Sequence, residues 1–422
     1  MMRPLLIIGG GLIGLATAQV LVERGEHVRV LEAREGVGLE TSFANGGLLT
    51  PSMPEPWNGP GVYRHLAASL LGSSSSMQLR LRALPSLLLW GITFLRNSTP
   101  GCFYSATDDN YRLAVYSLDK TLALSERLQL DYDLLDAGTL SVFQNAEQMA
   151  ERQAISDHLA CHGMTSVTVD RDEIVALEPL LKDVVDKLIG GIWFPDDASG
   201  DAHLFCRELA REIVAGGGQI DTGMQVTDLI SRNGKMAGVD TNRGRIDAHR
   251  VVVAAGVHSP HLLRGVKHAL PVRPAKGYSV TVDAEGLGEL PGVAIQDDES
   301  HAVISRFGNR IRVVGTAEFA GFDTSVCKAR IDHLFGVLES LLPDLASRAD
   351  RATAEAWAGL RPMSNDGRPF IGAGNIEGLY INAGHGALGW TMAMGSAHLL
   401  ADQILDRPTE IDGSPFSATR TN

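Results

Sequence analysis

The first 32 residues constrain the fold more than any other stretch of this chain. Leu5-Leu6-Ile7-Ile8 is a short apolar run that leads directly into Gly9-Gly10-Gly11-Leu12-Ile13-Gly14. A helical pattern then runs to Gly25, a second run Val28-Arg29-Val30-Leu31 follows, and Glu32 ends it. The order is strand, glycine turn, helix, strand, acid, the βαβ arrangement that holds a dinucleotide. Gly9 permits the tight turn out of the strand, Gly11 lets a pyrophosphate approach the backbone, and Gly14 lets the helix pack closely. The helix N-terminus offers free N–H groups and the positive end of its dipole to the phosphates. Glu32, 18 residues beyond Gly14, is placed to accept hydrogen bonds from ribose hydroxyls. Its charge would repel a 2′-phosphate, which disfavours NADP. On this stretch alone the dinucleotide is FAD or NAD.

At 422 residues the chain exceeds one ordinary core, so two domains are expected. Forty-six glycines suit a nucleotide-binding α/β protein rich in tight turns. A net charge of −13 leaves no basic face and excludes a general nucleic-acid binder. Cys102, Cys161, Cys206 and Cys327 are scattered, with no C-x-x-C pair. They read as reduced structural thiols of a cytoplasmic protein, and no metal is expected. Nothing before Leu5 resembles a secretory leader, so the mature fold is expected to begin at once.

One segment raises a membrane question. Residues 79–96 contain an uncharged stretch from Ala83 to Leu95, 13 residues long, whereas spanning a bilayer takes about 20. Such a helix either lies in the interface of the inner membrane, with Trp90 and Phe94 inserted and Arg80, Arg82 and Arg96 near headgroups, or buries one face in the rest of the protein. The second reading is preferred.

Further along, Leu39–Gly47 reads as a loop, and Pro51–Gly61 and Ser73–Ser76 as loops at a domain crossing. Asp108–Leu128 has helical spacing, and Leu134–Phe143 alternates like a strand pair. Asp172–Leu177 is a short helix, and Ile189–Phe194 a strand running into the turn Asp196–Asp201. Ala202–Ala215 is a helix stopped by Gly216–Gly218. Short strands follow near Val226–Ile230 and Gly238–Thr241. Val251-Val252-Val253-Ala254-Ala255-Gly256 is a second fingerprint, a buried strand ending in small residues as beside a cofactor phosphate or ribose. Ala269–Gly321 reads as an antiparallel sheet. Leu379–Ala383 returns to a strand, and a helix from Thr391 to Leu405 closes the chain.

Taken in order, these segments resemble the D-amino-acid oxidase superfamily of FAD-dependent amine oxidoreductases, and within it the bacterial D-amino-acid dehydrogenases (small subunit). The likeness covers nearly the whole chain. Beside the first glycine motif it rests on Thr41–Gly47, Pro274–Ser279, Arg306–Val313, Ala317–Asp323, Trp357–Gly367 and Gly384–Thr391. It implies non-covalent FAD in an α/β, Rossmann-like (glutathione-reductase-type) domain, with a second, mainly antiparallel-sheet α+β substrate domain. The expected FAD-binding domain is 1–60, 108–130, 145–260 and 345–422, and the substrate domain 61–107, 131–144 and 261–344.

The resemblance also implies site residues. Gly9, Gly11, Leu12, Ile13, Gly14, Glu32, Ala33 and Arg34 would hold the ADP half. Thr41, Ser42, Ala44, Asn45 and Gly46 would border the pyrophosphate and the isoalloxazine ring. Val226 would meet adenine, with Ala255 and Gly256 near the ADP moiety. Gly384, His385, Gly386, Leu388, Gly389, Trp390 and Thr391 would face flavin N1 and O2, where N–H groups and a helix N-terminus favour the reduced, negatively charged ring. A link to the flavin through His385 stays open. Arg361 matches the arginine that holds the substrate carboxylate through two parallel hydrogen bonds. Tyr278, His301 and Trp390 are further catalytic candidates, and Lys276 and Arg306 further pocket candidates. Ala387 and Ala302 stand where glycine-oxidase-like members carry an arginine and a tyrosine, leaving the second carboxylate anchor unidentified.

The implied reaction is oxidative deamination of D-amino acids to 2-oxo acids and ammonia, with hydride passing from Cα to flavin N5 and electrons to a quinone or respiratory acceptor. Alternatives are a dehydrogenase of D-proline or D-hydroxyproline, an oxygen-using oxidase, and a flavoprotein subunit of a heteromeric dehydrogenase.

Overall fold

The computed structural model describes residues 4–63, 77–80 and 84–420. Two sheets organise it. The first has six strands in the order Phe370–Ala373, Leu379–Ala383, Val251–Val253, Leu5–Ile8, Val28–Leu31, Gln219–Asp221. All neighbours run parallel except the Phe370–Ala373 edge, which is antiparallel to Leu379–Ala383. The two fingerprints of the sequence are therefore adjacent strands, with Leu6 opposite Val251 and Ile8 opposite Val253. A parallel strand covered on both faces must be apolar throughout, and Val251, Val252 and Val253 are fully buried. Each such side chain contributes about 1.5–3 kcal/mol of burial.

One face of this sheet is covered by the helices Leu12–Glu23, Ala202–Ala215 and Ala393–Ile404, with Pro100–Leu128 outside them. Leu12–Glu23 is buried along most of its length, as a helix enclosed on all sides must be. The other face carries the three-stranded antiparallel sheet Val226–Arg232, Lys235–Thr241, Gly244–Asp247.

The second sheet has nine strands. In order they are Glu355–Ser364, Val272–Asp283, Arg310–Phe319, Ala302–Phe307, Ala294–Asp297, Thr139–Phe143, Gly190–Phe194 and Val167–Val169, with Met77–Leu79 beside Arg310–Phe319. It is mainly antiparallel, and the helices Lys328–Leu341 and Pro343–Arg348 cover one face. The fold is thus the expected α/β Rossmann-like sheet joined to an antiparallel-sheet region.

Several expectations need correction. Leu134–Phe143 is not a strand pair: Thr139–Phe143 is one fully buried strand, while Leu135 makes only an isolated bridge to Ser199. The long helix begins at Pro100 rather than Asp108, because Thr99 caps it and proline suits the first turn. Val167–Val169, Gly190–Phe194 and Glu355–Ser364, expected in the FAD-binding domain, pair into the second sheet. The sequence breaks there in loops, but pairing partners are set by contacts that local pattern does not encode. Ser73–Ser76 lies outside the described residues.

The segment with the membrane question forms the helix Leu84–Arg96. Trp90 and Phe94 are buried, stacked at 4.7 Å, with Trp90 Nε1 donating to the Pro271 carbonyl at 3.0 Å. They pack on Val62, Ala275, Phe319 and Met363 and are not available to insert into lipid. Leu88, Leu89, Ile92 and Leu95 face outward instead.

Candidate active site

A single cavity of about 1090 Å³ runs from the C-terminal ends of the parallel strands to the wall formed by the second sheet. This is the crevice where open α/β sheets bind ligands. Its size exceeds the ~300–1,000 Å³ of a drug-sized pocket, leaving room for a dinucleotide and a small molecule. All the residues expected to touch cofactor or substrate line it, with the exceptions of Gly14, Lys276 and Arg306.

The dinucleotide end is built from backbone. Gly9 has φ +113°, and a Cβ there would sit 2.5 Å from the Ala254 carbonyl oxygen. A Cβ on Gly14 would overlap the Gly9 carbonyl oxygen. Gly14 thus shapes the turn from behind, without touching the cavity. Gly10, to which the spacing assigned no task, is equally constrained, since its Cβ would lie 2.9 Å from that of Glu32. Glu32 accepts from the backbone N–H groups of Gly10 at 2.6 Å and Arg34 at 2.7 Å. The acid ties the turn to the end of the second strand while still lining the cavity. No side chain at the N-cap position serves the first helix; Ser42 reaches in from the loop to accept from Leu12 N at 3.1 Å.

At the far end, Gly384 (φ +86°) and Gly386 (φ +58°) turn the chain into a short 3₁₀ segment, Gly386–Leu388. The helix starts at Ala393, two residues later than expected, because Thr391 is taken up accepting from Thr50 N and donating to the Leu48 carbonyl. His385 is hydrogen-bonded through Nε2 to Ser396 Oγ at 2.9 Å. Burial lowers its pKa to about 3, so the ring is neutral. Trp390 borders the cavity, but its indole Nε1 donates to the Gly200 carbonyl and its ring packs on Phe205 at 4.6 Å. That ring is core packing.

The opposite wall presents side chains. Arg361, on Glu355–Ser364, lies deep in the protein and opens only onto the cavity. Burial lowers its guanidinium to about 10, which leaves it charged at neutral pH. No carboxylate pairs with it among the described residues; it donates to the Thr316 carbonyl at 3.3 Å and lies over the Trp57 ring at 5.4 Å. Gly277 on the next strand makes the room, since a Cβ there would collide with the guanidinium. Thr316 has φ +60°, a strained conformation for a β-branched residue. It sits at a bulge, where the partner positions of Lys276 and Tyr278 are Glu318 and Gly315. Its hydroxyl is buried without a protein partner. Trp57 and Thr316 had no motif to reveal them, and Gly277 lies in the Pro274–Ser279 motif without its own role being marked there.

Tyr278 lines the cavity, but its hydroxyl donates to Glu318 Oε2 at 2.5 Å, and Glu318 also pairs with Arg80. Burial and that acid push the Tyr278 phenol up. Despite its own burial, the bonds from Tyr278 and Arg80 hold Glu318 below the usual carboxylate range. Tyr278 is thus a locked neutral group. His301 borders a polar lobe with Glu55, Arg152 and Asp298, whose carboxyl is raised by burial. Lys276 is buried over the Tyr278 ring with Asp323 at 3.8 Å, and Arg306 donates to the Gly308 carbonyl. Both expectations fail because neighbouring side chains and backbone already satisfy these cations.

The FAD dependent oxidoreductase (DAO) family model matches residues 5–403. The chain is 38% identical to a D-amino acid dehydrogenase of Paramagnetospirillum magneticum (96% of each chain) and 37% identical to one of Granulibacter bethesdensis (98% of this chain, 99% of that one). Its fold is similar to glycine oxidase from Geobacillus kaustophilus, with a TM-score of 0.80 at 24% identity over the full length of both. The cradle of glycines, the acid at the second strand end and the cavity volume fit FAD, and the chain belongs to the DAO family of FAD dependent oxidoreductases.

Proposed function

We propose that this oxidoreductase dehydrogenates D-amino acids to imino acids, which water converts to 2-oxo acids and ammonia. The name shared by full-length relatives supports the substrate class. The observation that carries it within this chain is Arg361, a largely enclosed cation facing the cavity with no anion paired to it among the described residues. Leaving a charge buried and uncompensated costs several kcal/mol. A substrate carboxylate supplies the missing anion and forms two parallel hydrogen bonds.

Bound FAD supplies the hydride acceptor. The residues of this chain do the orienting. Arg361 holds the carboxylate, with Trp57 fixing the guanidinium plane and Gly277 giving it space. Thr316 is the second anchor, its unpartnered hydroxyl donating to the same carboxylate. Near neutral pH Tyr278 keeps its proton and His385 stays neutral, which supports catalysis resting on orientation and water exclusion. Gly9, Gly11, Glu32 and the Thr41–Gly46 loop hold the ADP and pyrophosphate portions, and the Gly384–Gly389 backbone serves the flavin ring. Non-covalent FAD is supported by the cavity lining, which holds no cysteine among the described residues.

Electrons leave to a quinone or another membrane acceptor. In support, no helix among the described residues is long and apolar enough to cross a membrane, yet Leu88, Leu89, Ile92 and Leu95 form one exposed apolar face. That face would rest on the inner membrane.

The test is the visible spectrum of the purified flavoprotein without oxygen, before and after D-alanine, D-proline and their L-forms. Bleaching by D-alanine and not L-alanine is expected. Bleaching by D-proline alone would move the substrate to a secondary amine, and bleaching by neither would overturn the reading.

A further inference from the structure

We propose that Asp108, His158 and His162 form a binding site for a divalent transition-metal ion of the zinc class, tying together the two helices that grip one wall of the cavity. Asp108 lies on Pro100–Leu128. His158 is in the last turn of Ala146–Ala160, and His162 lies in the turn that follows. The two histidines are four residues apart, the spacing that puts both imidazoles on one side of a helical turn. His158 Nε2 is 2.7 Å and His162 Nε2 3.4 Å from the same oxygen, Asp108 Oδ1, and the three ligand atoms lie within 4.8 Å of one another.

An ion with bonds of about 2.0–2.2 Å keeps tetrahedral ligand atoms roughly 3.3 Å apart. The two histidine–aspartate distances straddle that value, and all three ligand atoms, already within 4.8 Å of one another, would close on the ion. Two imidazoles and one carboxylate suit zinc, nickel, copper or iron(II), whereas calcium and magnesium require oxygen ligands. All three side chains reach solvent, at 25, 32 and 36% exposure, which gives an ion access and leaves a coordination position for water. The Tyr104 ring, 4.6 Å from that of His158, restricts its orientation.

Both helices converge on the loop that carries Trp57. Two residues from Asp108, Asn110 Nδ2 donates to the Pro54 and Gly367 carbonyls at 2.9 Å each. From the other helix, Arg152 pairs with Glu55 and donates to the Ser52 carbonyl at 3.3 Å. Met53, Glu55, Pro56 and Trp57 line the cavity. An ion fixing one helix to the other would therefore stiffen the wall beneath Arg361.

The holoenzyme is dialysed against zinc chloride and its zinc counted by atomic emission, with the melting temperature followed in parallel. Wild type is expected to retain about one ion per chain and to melt at a temperature that rises and saturates with zinc. Asp108→Asn and His162→Asn, each with wild-type flavin content, should weaken retention by about tenfold or more. Cys161→Ser should not, since that thiol donates to the His158 carbonyl and lies outside the cluster. No zinc on the wild type, equal zinc on all variants, or loss only in Cys161→Ser would each overturn the site. Should one variant fail to keep its flavin, the other decides.

Discussion

The two ends of the cavity are made differently. The dinucleotide end is backbone: glycines at Gly9, Gly10 and Gly14, plus one acid that holds the turn. The opposite end is side chain: a cation, an aromatic platform, a strained threonine and a glycine that makes room. A backbone cradle tolerates almost no added volume, and its failure is a failure to fold and to keep the cofactor. A side-chain wall can be altered with the fold intact, so its failure is in kinetics. Each substitution below asks whether that division holds.

The largest effect is expected at Gly14. Its Cβ would overlap the Gly9 carbonyl oxygen, and neither atom can move without breaking the turn. Gly14→Val should cost about 4 kcal/mol or more. The variant is expected to lose both flavin and its cooperative melting transition. A Gly14→Val protein that keeps stoichiometric flavin would break the comparison at its backbone end.

Arg361→Ala tests the other end. Truncating one member of a buried charge pair costs about 2–5 kcal/mol, hence a fall of roughly 30- to 5,000-fold in kcat/KM at 1.36 kcal/mol per decade. The loss should appear mainly in KM and be common to all amino acids tried, with flavin content unchanged. Loss of flavin together with activity would assign Arg361 to the cradle rather than to the substrate.

Thr316 sharpens the point because stability and activity should move apart. Thr316→Val removes the hydroxyl, and losing a hydrogen bond to a charged group costs about 1.5–3 kcal/mol. KM should rise by about 10- to 150-fold with melting little changed. Thr316→Gly removes the hydroxyl as well but relieves the φ of +60°, worth about 1–2 kcal/mol in the left-handed region. It is expected to resist heat better than Thr316→Val while binding substrate no better. Equal melting of the two variants would mean that the strain is not stored at this residue.

How much of this could be read beforehand follows the same division. The cradle was readable because its parts lie within 32 residues, at spacings set by one turn and one helix. Only Gly10 escaped, since the motif treats its position as free while this chain uses it to reach Glu32. The wall was not readable. Trp57, Gly277, Thr316 and Arg361 come from four distant stretches, and the threonine's importance lies in a bulge between strands that no local pattern announces. Arg361 was reached only through a resemblance. Asp108 and His158 were not readable either, being 50 residues apart and joined by helix packing. The pairing of Val167–Val169 and Glu355–Ser364 into the second sheet is hidden for that reason as well, because a strand's own residues do not name its partner.

The smallest effect is expected on the outer face of Leu84–Arg96, and it separates surface from site. Leu89 is 79% and Leu88 65% exposed, whereas Trp90 and Phe94 on the inner face are 6% and 5%. Leu89→Glu introduces a charge where water already has access, so stability should change by no more than about 0.5 kcal/mol. Turnover with a soluble dye acceptor should be unaltered. Sedimentation with vesicles of phosphatidylcholine and phosphatidylglycerol should fall, because burial of that apolar face is what holds such a helix at an interface. With a membrane-dissolved quinone as acceptor, turnover should fall alongside sedimentation. Vesicle binding that survives Leu89→Glu and Ile92→Glu together would move the contact elsewhere on the protein. A variant that loses turnover with the soluble dye as well would place this helix in the substrate wall, through the packing of Trp90 on Phe319.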